Sequence, residues 1–303
     1  MLPRVSIVMS TYNRSNILQY SIGSVIKQTI VDWELIVVGD ACTDDTESIV
    51  HRFNDDRIRF INLTENFGEQ SEPNNIGVNA ARAGVIAFLN HDDLWFCDHL
   101  ETCLIALDRE NADLVFSWSF ALDRNEKGRL IGLHWSGHFE PRISIGASSW
   151  VFKRSLFQSV GPWRHARDLI NLPSQDWLYR AWRQKAAMIS TAHLTCVFVM
   201  SGDRKGSYSN RDFGEHAALY QDMQDPVCRA KFLERAIADL ANTRLKRGVW
   251  PDLRRFIGSL VWDFSSRVKL NPASIHLWWR FRKKGGAIAR LRSIRGLEKK
   301  EGL

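Results

Sequence analysis

Short apolar runs alternate with amphipathic stretches through the first hundred residues. Val5-Ser-Ile-Val-Met9 predicts a buried strand. Ile17, Leu18, Ile22, Val25 and Ile26 recur at close to helical spacing, and Ser15 stands where a cap belongs. Leu35-Ile-Val-Val38 predicts a second strand. Thr43 is placed to cap the next helix, with Asp44, Asp45 and Glu47 at the favourable end of its dipole. Residues 58–61 predict a third strand, 75–83 a helix, and Val85-Ile-Ala-Phe-Leu89 a fourth strand. Strands separated by helices imply an α/β fold, a mostly parallel sheet flanked by helices on both faces.

The pattern loosens beyond residue 110. Residues 113–118 and 194–199 predict strands, and the loop-rich stretch between them carries Gly128, Gly132, Gly137, Pro141, Gly146, Gly161, Pro162 and Pro173. Such loops commonly hold binding and chemistry on a rigid scaffold. From about residue 215 the pattern is helical. Phe232, Leu233, Ile237, Leu240 and Leu245 share one face, with Gly248 as the stop. Leu253, Phe256, Ile257, Leu260, Val261 and Phe264 predict a second helix, and Asn271-Pro272 opens a third containing Trp278, Trp279 and Phe281. The expected organisation is two halves of one domain, 1–110 and 111–215, followed by a C-terminal helical extension, 216–303.

Composition narrows the class. At 45% hydrophobic and 25% charged residues, the chain of 303 residues has the make-up of a globular protein with a sizeable core. No apolar run approaches the ~18 residues that span a bilayer, and the opening residues lack the pattern of a signal peptide. Five cysteines without a C-x-x-C pair argue against a disulfide framework or zinc site and for a cytoplasmic setting. Charge is uneven. Residues 1–225 hold 22 Lys/Arg and 28 Asp/Glu, whereas residues 226–303 hold 19 and 6. With Trp250, Trp262, Trp278 and Trp279 among these cations, 226–303 suits an anionic membrane surface, which would make the protein peripheral at the inner face of the cell membrane. Packing of these helices on the acidic first part, or on a second copy in a homodimer, is the structural alternative. No nucleic-acid-binding motif accompanies the basic residues, so nucleic acid is not an expected partner.

The chemistry-bearing residues follow predicted strands. Ser10-Thr-Tyr-Asn-Arg14 follows the first, Gly39-Asp-Ala-Cys-Thr-Asp-Asp45 the second, and Asn90-His-Asp-Asp93 the fourth. In α/β sheets ligands sit beyond the carboxyl ends of strands, so the three clusters would converge on one crevice. Asp92 and Asp93 suit a divalent cation carrying a diphosphate, or else the acidic first turn of a helix.

Val5-Ser-Ile-Val-Met-Ser-Thr-Tyr-Asn-Arg14, Val37-Val-Gly-Asp-Ala-Cys-Thr-Asp-Asp-Thr46, Asn75-Ile-Gly-Val-Asn-Ala-Ala-Arg-Ala-Gly84 and Phe88-Leu-Asn-His-Asp-Asp93, in this order and spacing, resemble a family 2 inverting glycosyltransferase with the A-type, Rossmann-like fold that binds nucleoside-diphosphate sugars. The resemblance implies that Thr11 and Tyr12 flank the nucleobase, Arg14 belongs to the donor site, and Asp40 accepts a hydrogen bond from the base, as from a uracil of a UDP-sugar. It implies that Asn90-His91-Asp92 takes the place of the D-x-D motif, with Asn90 toward the ribose, Asp92 as ligand to Mn2+ or Mg2+, and Asp93 toward the sugar. Ser174-Gln-Asp176 resembles the acidic motif, usually Glu-Asp, that makes Asp176 the catalytic base. Arg204 and Lys205 would neutralise the leaving diphosphate, Trp163 would wall the acceptor site, and the histidine that helps hold the metal in relatives has no evident counterpart. The acceptor implied is a glycan or lipid-linked saccharide in cell-surface polysaccharide synthesis. The departures at Asn90 and Gln175 leave a nonenzymatic nucleotide-sugar-binding or membrane-adaptor protein as the alternative.

Overall fold

The computed structural model describes residues 2–123, 128–134, 136–141, 143–200, 204–212, 214–245, 277 and 280–300. The helix predicted from Leu253, the Asn271-Pro272 start of the next, Gly248, Trp250, Trp262, Trp278 and Trp279 lie outside the described residues.

β1 (Val5–Thr11), β2 (Trp33–Gly39), β3 (Ile58–Asn62) and β4 (Val85–Phe88) lie in the order β3-β2-β1-β4, all parallel. α1 (Ser15–Ile26), α2 (Thr46–His51) and α3 (Ser71–Ala80) join them. β1 and β2 are buried along their whole length, which is why both read as unbroken apolar runs. The pleat sorts their side chains. Val5, Ile7, Met9, Leu35 and Val37 pack with Leu18, Ile22 and Val25 of α1 and with Leu100, Cys103 and Leu104 of α4 (His99–Arg109). Val8, Ile36 and Val38 point into a second cluster with Val78 of α3, Phe88, Trp150 and Trp177.

The same sheet continues through the second half of the chain. β5 (Leu94–Trp95), β6 (Leu114–Leu122), β7 (Gly128–Ile131), β8 (Trp150–Lys153) and β9 (Met188–Val199) complete the order β3-β2-β1-β4-β8-β6-β9-β5, with β7 beside β6. β8 runs antiparallel to both β4 and β6, while β6 and β9 are parallel. The sequence pattern predicts neither β5, β7 nor β8. At two to four residues each they set no period of their own; β5 and β8 exist through partners distant in sequence, and β7 as the return strand of a hairpin with β6. α5 (Arg154–Val160), α6 (Pro173–Arg183), α7 (Gly214–Asp222), α8 (Cys228–Leu245) and α9 (Gly286–Arg295) complete the described elements.

Three local expectations differ from the fold. Neither Ser15 nor Thr43 caps its helix. Asp44 serves both: one oxygen accepts from the Ser15 amide at 3.2 Å and the other from the Thr46 amide at 3.2 Å. A carboxylate two residues before α2 reaches both helix starts because β1 and β2 are neighbours. On α8 the buried stripe is Cys228, Phe232 and Ala236, and Ile237 is 65% exposed. The i, i+4 stripe facing Phe96 and Phe120 wins over the more apolar one.

One buried acid ties the parallel strands together. Glu34 of β2 is 1% exposed and sits opposite Ser6 of β1. Its carboxylate accepts from Ser6 Oγ at 2.6 Å, the Arg82 amide at 2.7 Å, Arg82 Nε at 2.8 Å and Arg59 Nη2 at 3.1 Å. Burial alone would push its carboxyl up, but these bonds more than offset that and hold it below the ordinary value.

Two outcomes follow. A Cβ on Gly77 would sit 2.3 Å from Val8 Cγ1, while one on Gly84 meets nothing within 4 Å. Gly77→Ala therefore lowers stability in urea unfolding, because overpacking costs about 1–3 kcal/mol against a helix-propensity gain of about 1. Gly84→Ala holds or raises it by about 0.4–1 kcal/mol. A Glu34→Gln variant is less stable than the parent near neutral pH, where the carboxylate is charged in both folded and unfolded chains. Since the folded value is the lower one, Glu34's contribution is complete above the ordinary value of 4.5 and disappears as pH falls through the folded value. The stability gap between parent and variant narrows on acidification, and a gap independent of pH would reject the assignment.

Candidate active site

β1, β2 and β4 end at one edge of the sheet. Ser10, Thr11 and Tyr12 from the end of β1, Asp40 after β2, and Asn90, His91 and Asp92 after β4 line one cavity of about 250 Å³. Gly68, Glu69, Gln70 and Pro73 close a second side, Leu172, Pro173 and Ser174 at the start of α6 a third. Tyr208 and, from α9 and its end, Ile288, Leu291, Arg292, Arg295 and Leu297 close the fourth.

Thr11 is buried and its Oγ1 has no partner, so a donor or acceptor is free toward a ligand. The Tyr12 ring lies 6.3 Å from that of Tyr208, tilted by 30°. Asp40 accepts from the amides of Phe67 at 2.7 Å and Gly68 at 2.9 Å. A carboxylate has about four acceptor sites, so capacity remains for one more donor. Burial pushes its carboxyl up, against those amides and Arg292.

The segment after β4 divides its labour. His91 is held neutral: burial lowers it to about 4, and its Nδ1 donates to Ser10 O at 3.1 Å. Asp92 faces the cavity, and its side chain makes no hydrogen bond to a described residue. Burial pushes the Asp92 carboxyl up, but nearby His91, Arg295, His216 and Arg14 bring it below the ordinary value. Asp93 lies beneath the cavity floor. Its oxygens accept from Asn90 Nδ2 at 2.9 Å, Ser148 Oγ at 2.6 Å and the Val199 amide at 3.2 Å. Burial and the charge of Asp92 push its carboxyl well up, against these three bonds. The expected contact of Asp93 with the sugar is therefore replaced by a supporting role. Asn90 is explained by the same contact, since an aspartate at 90 would set two carboxylates against each other.

Several expected residues sit elsewhere. Arg14 is buried behind Tyr208, its guanidinium 5.0 Å from the ring centroid, with Nη1 donating to Ser207 O. Arg204 is occupied by Glu215 and by the carbonyls of Met200 and Leu122, and neither it nor Lys205 lines the cavity. A guanidinium with a full set of protein acceptors has nothing left for a diphosphate. Trp163 is 1% exposed and packs edge-on against Phe88, so it belongs to the core. Asp176 lies in the first turn of α6, beyond the wall formed by Leu172–Ser174. It accepts from Arg180 Nε at 2.9 Å and lies 3.9 Å from Arg164.

The cavity also holds residues that the sequence reading missed. Glu69 accepts from the Ser71 amide at 2.8 Å, and burial pushes its carboxyl up. Behind the cavity lining, buried His216 of α7 points Nε2 at the Asp92 carbonyl at 3.3 Å. Arg292 and Arg295 arrive from residues 226–303, which in sequence read only as a basic extension.

For a divalent cation, Asp92 is the one carboxylate among the described residues lining the cavity whose side chain makes no hydrogen bond to a described residue. Among the described residues no group of three His, Cys, Asp or Glu side chains could hold a metal ion. One carboxylate fits an ion that takes its remaining ligands from a substrate diphosphate and water, as Mg2+ commonly does.

The profile of glycosyl transferase family 2 matches residues 6–152. The chain is 34% identical over 240 residues to the Escherichia coli UDP-Glc:alpha-D-GlcNAc-diphosphoundecaprenol beta-1,3-glucosyltransferase WfgD, covering 76% of this chain and 90% of that protein. Its fold is similar to that of S. aureus TarS 1-349 in complex with UDP-GlcNAc, with a TM-score of 0.58 at 18% identity over 97% of this chain and 90% of that one. It is also similar to mannosyltransferase PcManGT from Pyrobaculum calidifontis in complex with GDP-Man and Mn2+, with a TM-score of 0.56 at 16% identity, over 96% and 88%. The chain belongs to glycosyl transferase family 2. It is a glycosyltransferase with the A-type fold that its sequence resembles.

The division between Asp92 and Asp93 is open to measurement. Asp93→Ala strips an acceptor from three buried donors, each worth about 1–3 kcal/mol. It lowers the thermal unfolding midpoint by several degrees more than Asp92→Ala, which removes no hydrogen bond. Equal losses, or the reverse order, would reject the supporting role of Asp93.

Proposed function

We propose that this enzyme transfers a sugar with inversion from a UDP-sugar to a hydroxyl of a lipid-linked saccharide during cell-surface polysaccharide synthesis. The observation that carries the reading is the convergence of Thr11, Tyr12, Asp40 and Asp92 on one cavity at the carboxyl ends of β1, β2 and β4. Tyr12 stacks on the base, and Asp40 takes its N–H through a free lone pair. Asp92 would hold Mn2+ or Mg2+ together with the donor's diphosphate, and that ion would supply Lewis-acid stabilisation of the leaving group. WfgD supports the acceptor class, since its name specifies a diphosphoundecaprenol-linked sugar and a beta-1,3 product.

Asp176 is the proposed base. It takes the proton of the acceptor hydroxyl as that oxygen bonds to the anomeric carbon. The bond from this carbon to the diphosphate oxygen breaks, and its electron pair leaves with the nucleoside diphosphate. Arg180 and Arg164 fix the carboxylate at the start of α6, beside the cavity wall. Glu69, which lines the cavity itself, is the second candidate for this role.

A lipid-linked acceptor brings the enzyme to the membrane surface without requiring it to enter. Among the described residues no helix is long and apolar enough to cross a membrane.

Asp176→Asn lowers turnover roughly 100- to 10,000-fold with little change in donor Kd, the loss typical of a positioned base. Full turnover in Asp176→Asn together with its loss in Glu69→Gln would transfer the role to Glu69. The product of a UDP-α-sugar carries a β linkage by NMR, and retention would reject single displacement. Binding of UDP-sugars without any turnover across lipid-linked acceptors would favour the nonenzymatic reading.

A further inference from the structure

We infer that α9 supplies the diphosphate-binding cations of the donor site. Arg295 and Arg292, near the end of the chain, grip the phosphates, and Arg14 reinforces them from behind Tyr208. This rests on the donor reading above and assigns to it residues from an element that the family profile, at 6–152, does not reach.

The helix is built into the site. Arg292 is 8% exposed, its Nη1 donates to Gly68 O at 2.8 Å, in the loop that Asp40 also holds, and its Nη2 to Glu298 O at 3.0 Å, which leaves three of its five N–H groups without a protein acceptor among the described residues. The Gly206 amide donates to Ile294 O at 2.8 Å, the Tyr208 amide to Arg295 O at 3.0 Å, and the Gly285 amide to Leu169 O at 2.8 Å. These bonds fasten both ends of α9 to the loops around the cavity.

The cations it delivers are under-satisfied. The Nε atoms of Arg292, Arg295 and Arg14 are all buried without a partner, as are Thr11 Oγ1 and Ser207 Oγ nearby. Arg295 makes no side-chain hydrogen bond to a described residue. Buried polar groups are normally paired, so a cluster of orphan donors around one cavity marks the place of a missing acceptor. The acceptor must be anionic. Two guanidinium groups, Arg292 and Arg295, line the cavity with Arg14 behind Tyr208, and Asp92, which also lines it, lies within the electrostatic reach of Arg295 and Arg14. A guanidinium fork matches phosphate oxygens in pairs. Arg204, whose donors are occupied by Glu215, shows the contrasting arrangement.

The test is titration of the full-length chain with UDP by calorimetry and with uridine by ligand-observed NMR, each with and without Mn2+. Arg295→Gln weakens UDP binding about tenfold or more, the usual worth of a hydrogen bond to a charged group, and leaves uridine binding unchanged. Arg290→Gln, on the exposed face of the same helix, changes neither. Arg292→Gln loses UDP affinity as well, and its uridine affinity reports whether the Gly68 loop has kept its shape. Undiminished UDP binding by Arg295→Gln would overturn the inference and leave the donor reading intact. A parallel loss of UDP and uridine would also overturn it, because the arginine would then be shaping the cavity. A parent protein that binds no UDP under either condition would remove the donor reading, and the arginine assignment with it.

Discussion

The architecture of the site hangs on the Asp93 carboxylate. It sits below the cavity floor where three separate pieces of chain meet: the turn after β4, the short turn before β8, and the end of β9. β4 belongs to the parallel half of the sheet, β8 is the antiparallel insertion, and β9 lies on the far side of β6. One acceptor therefore holds the seam at which the two halves join. It also sets the orientation of its neighbours. With Asn90 drawn down to Asp93, Asp92 is left facing the cavity with no side-chain hydrogen bond to a described residue. The acid expected toward the sugar is the one that orients the segment carrying Asp92.

This explains a departure that the sequence alone leaves as a puzzle. Asn90 stands where relatives carry an acid, and read in one dimension it suggests a weakened site. In the fold, the amide is the group that can donate to a buried carboxylate while remaining in the cavity wall. The amide at 90 and the buried carboxyl at 93 are two sides of one arrangement.

The donor half was legible because its information is local. Buried parallel strands write themselves as apolar runs, and each polar cluster follows its strand directly, so Thr11, Tyr12, Asp40 and Asp92 could be named and placed on one edge. The misses share a different cause. β5 and β8 are defined by pairing rather than composition. Arg204 looked free because its partner Glu215 lies eleven residues away, on the next helix. Arg292 and Arg295 went unnamed within the basic 226–303 extension because nothing in a basic helix says which loop it docks against. Asp44 escaped for the same reason, as its second helix start lies across β1. Tertiary proximity decided each case.

The contact between Arg292 and Gly68 spans 224 positions of sequence. A chain made from its N-terminus exposes β1, β2 and β4 to the cell well before α9 exists. The sheet can form during translation ahead of the fourth wall of the cavity. Nascent chains, and chains terminated before α9, therefore present a strand edge with Thr11, Tyr12 and Asp40 and no closing wall.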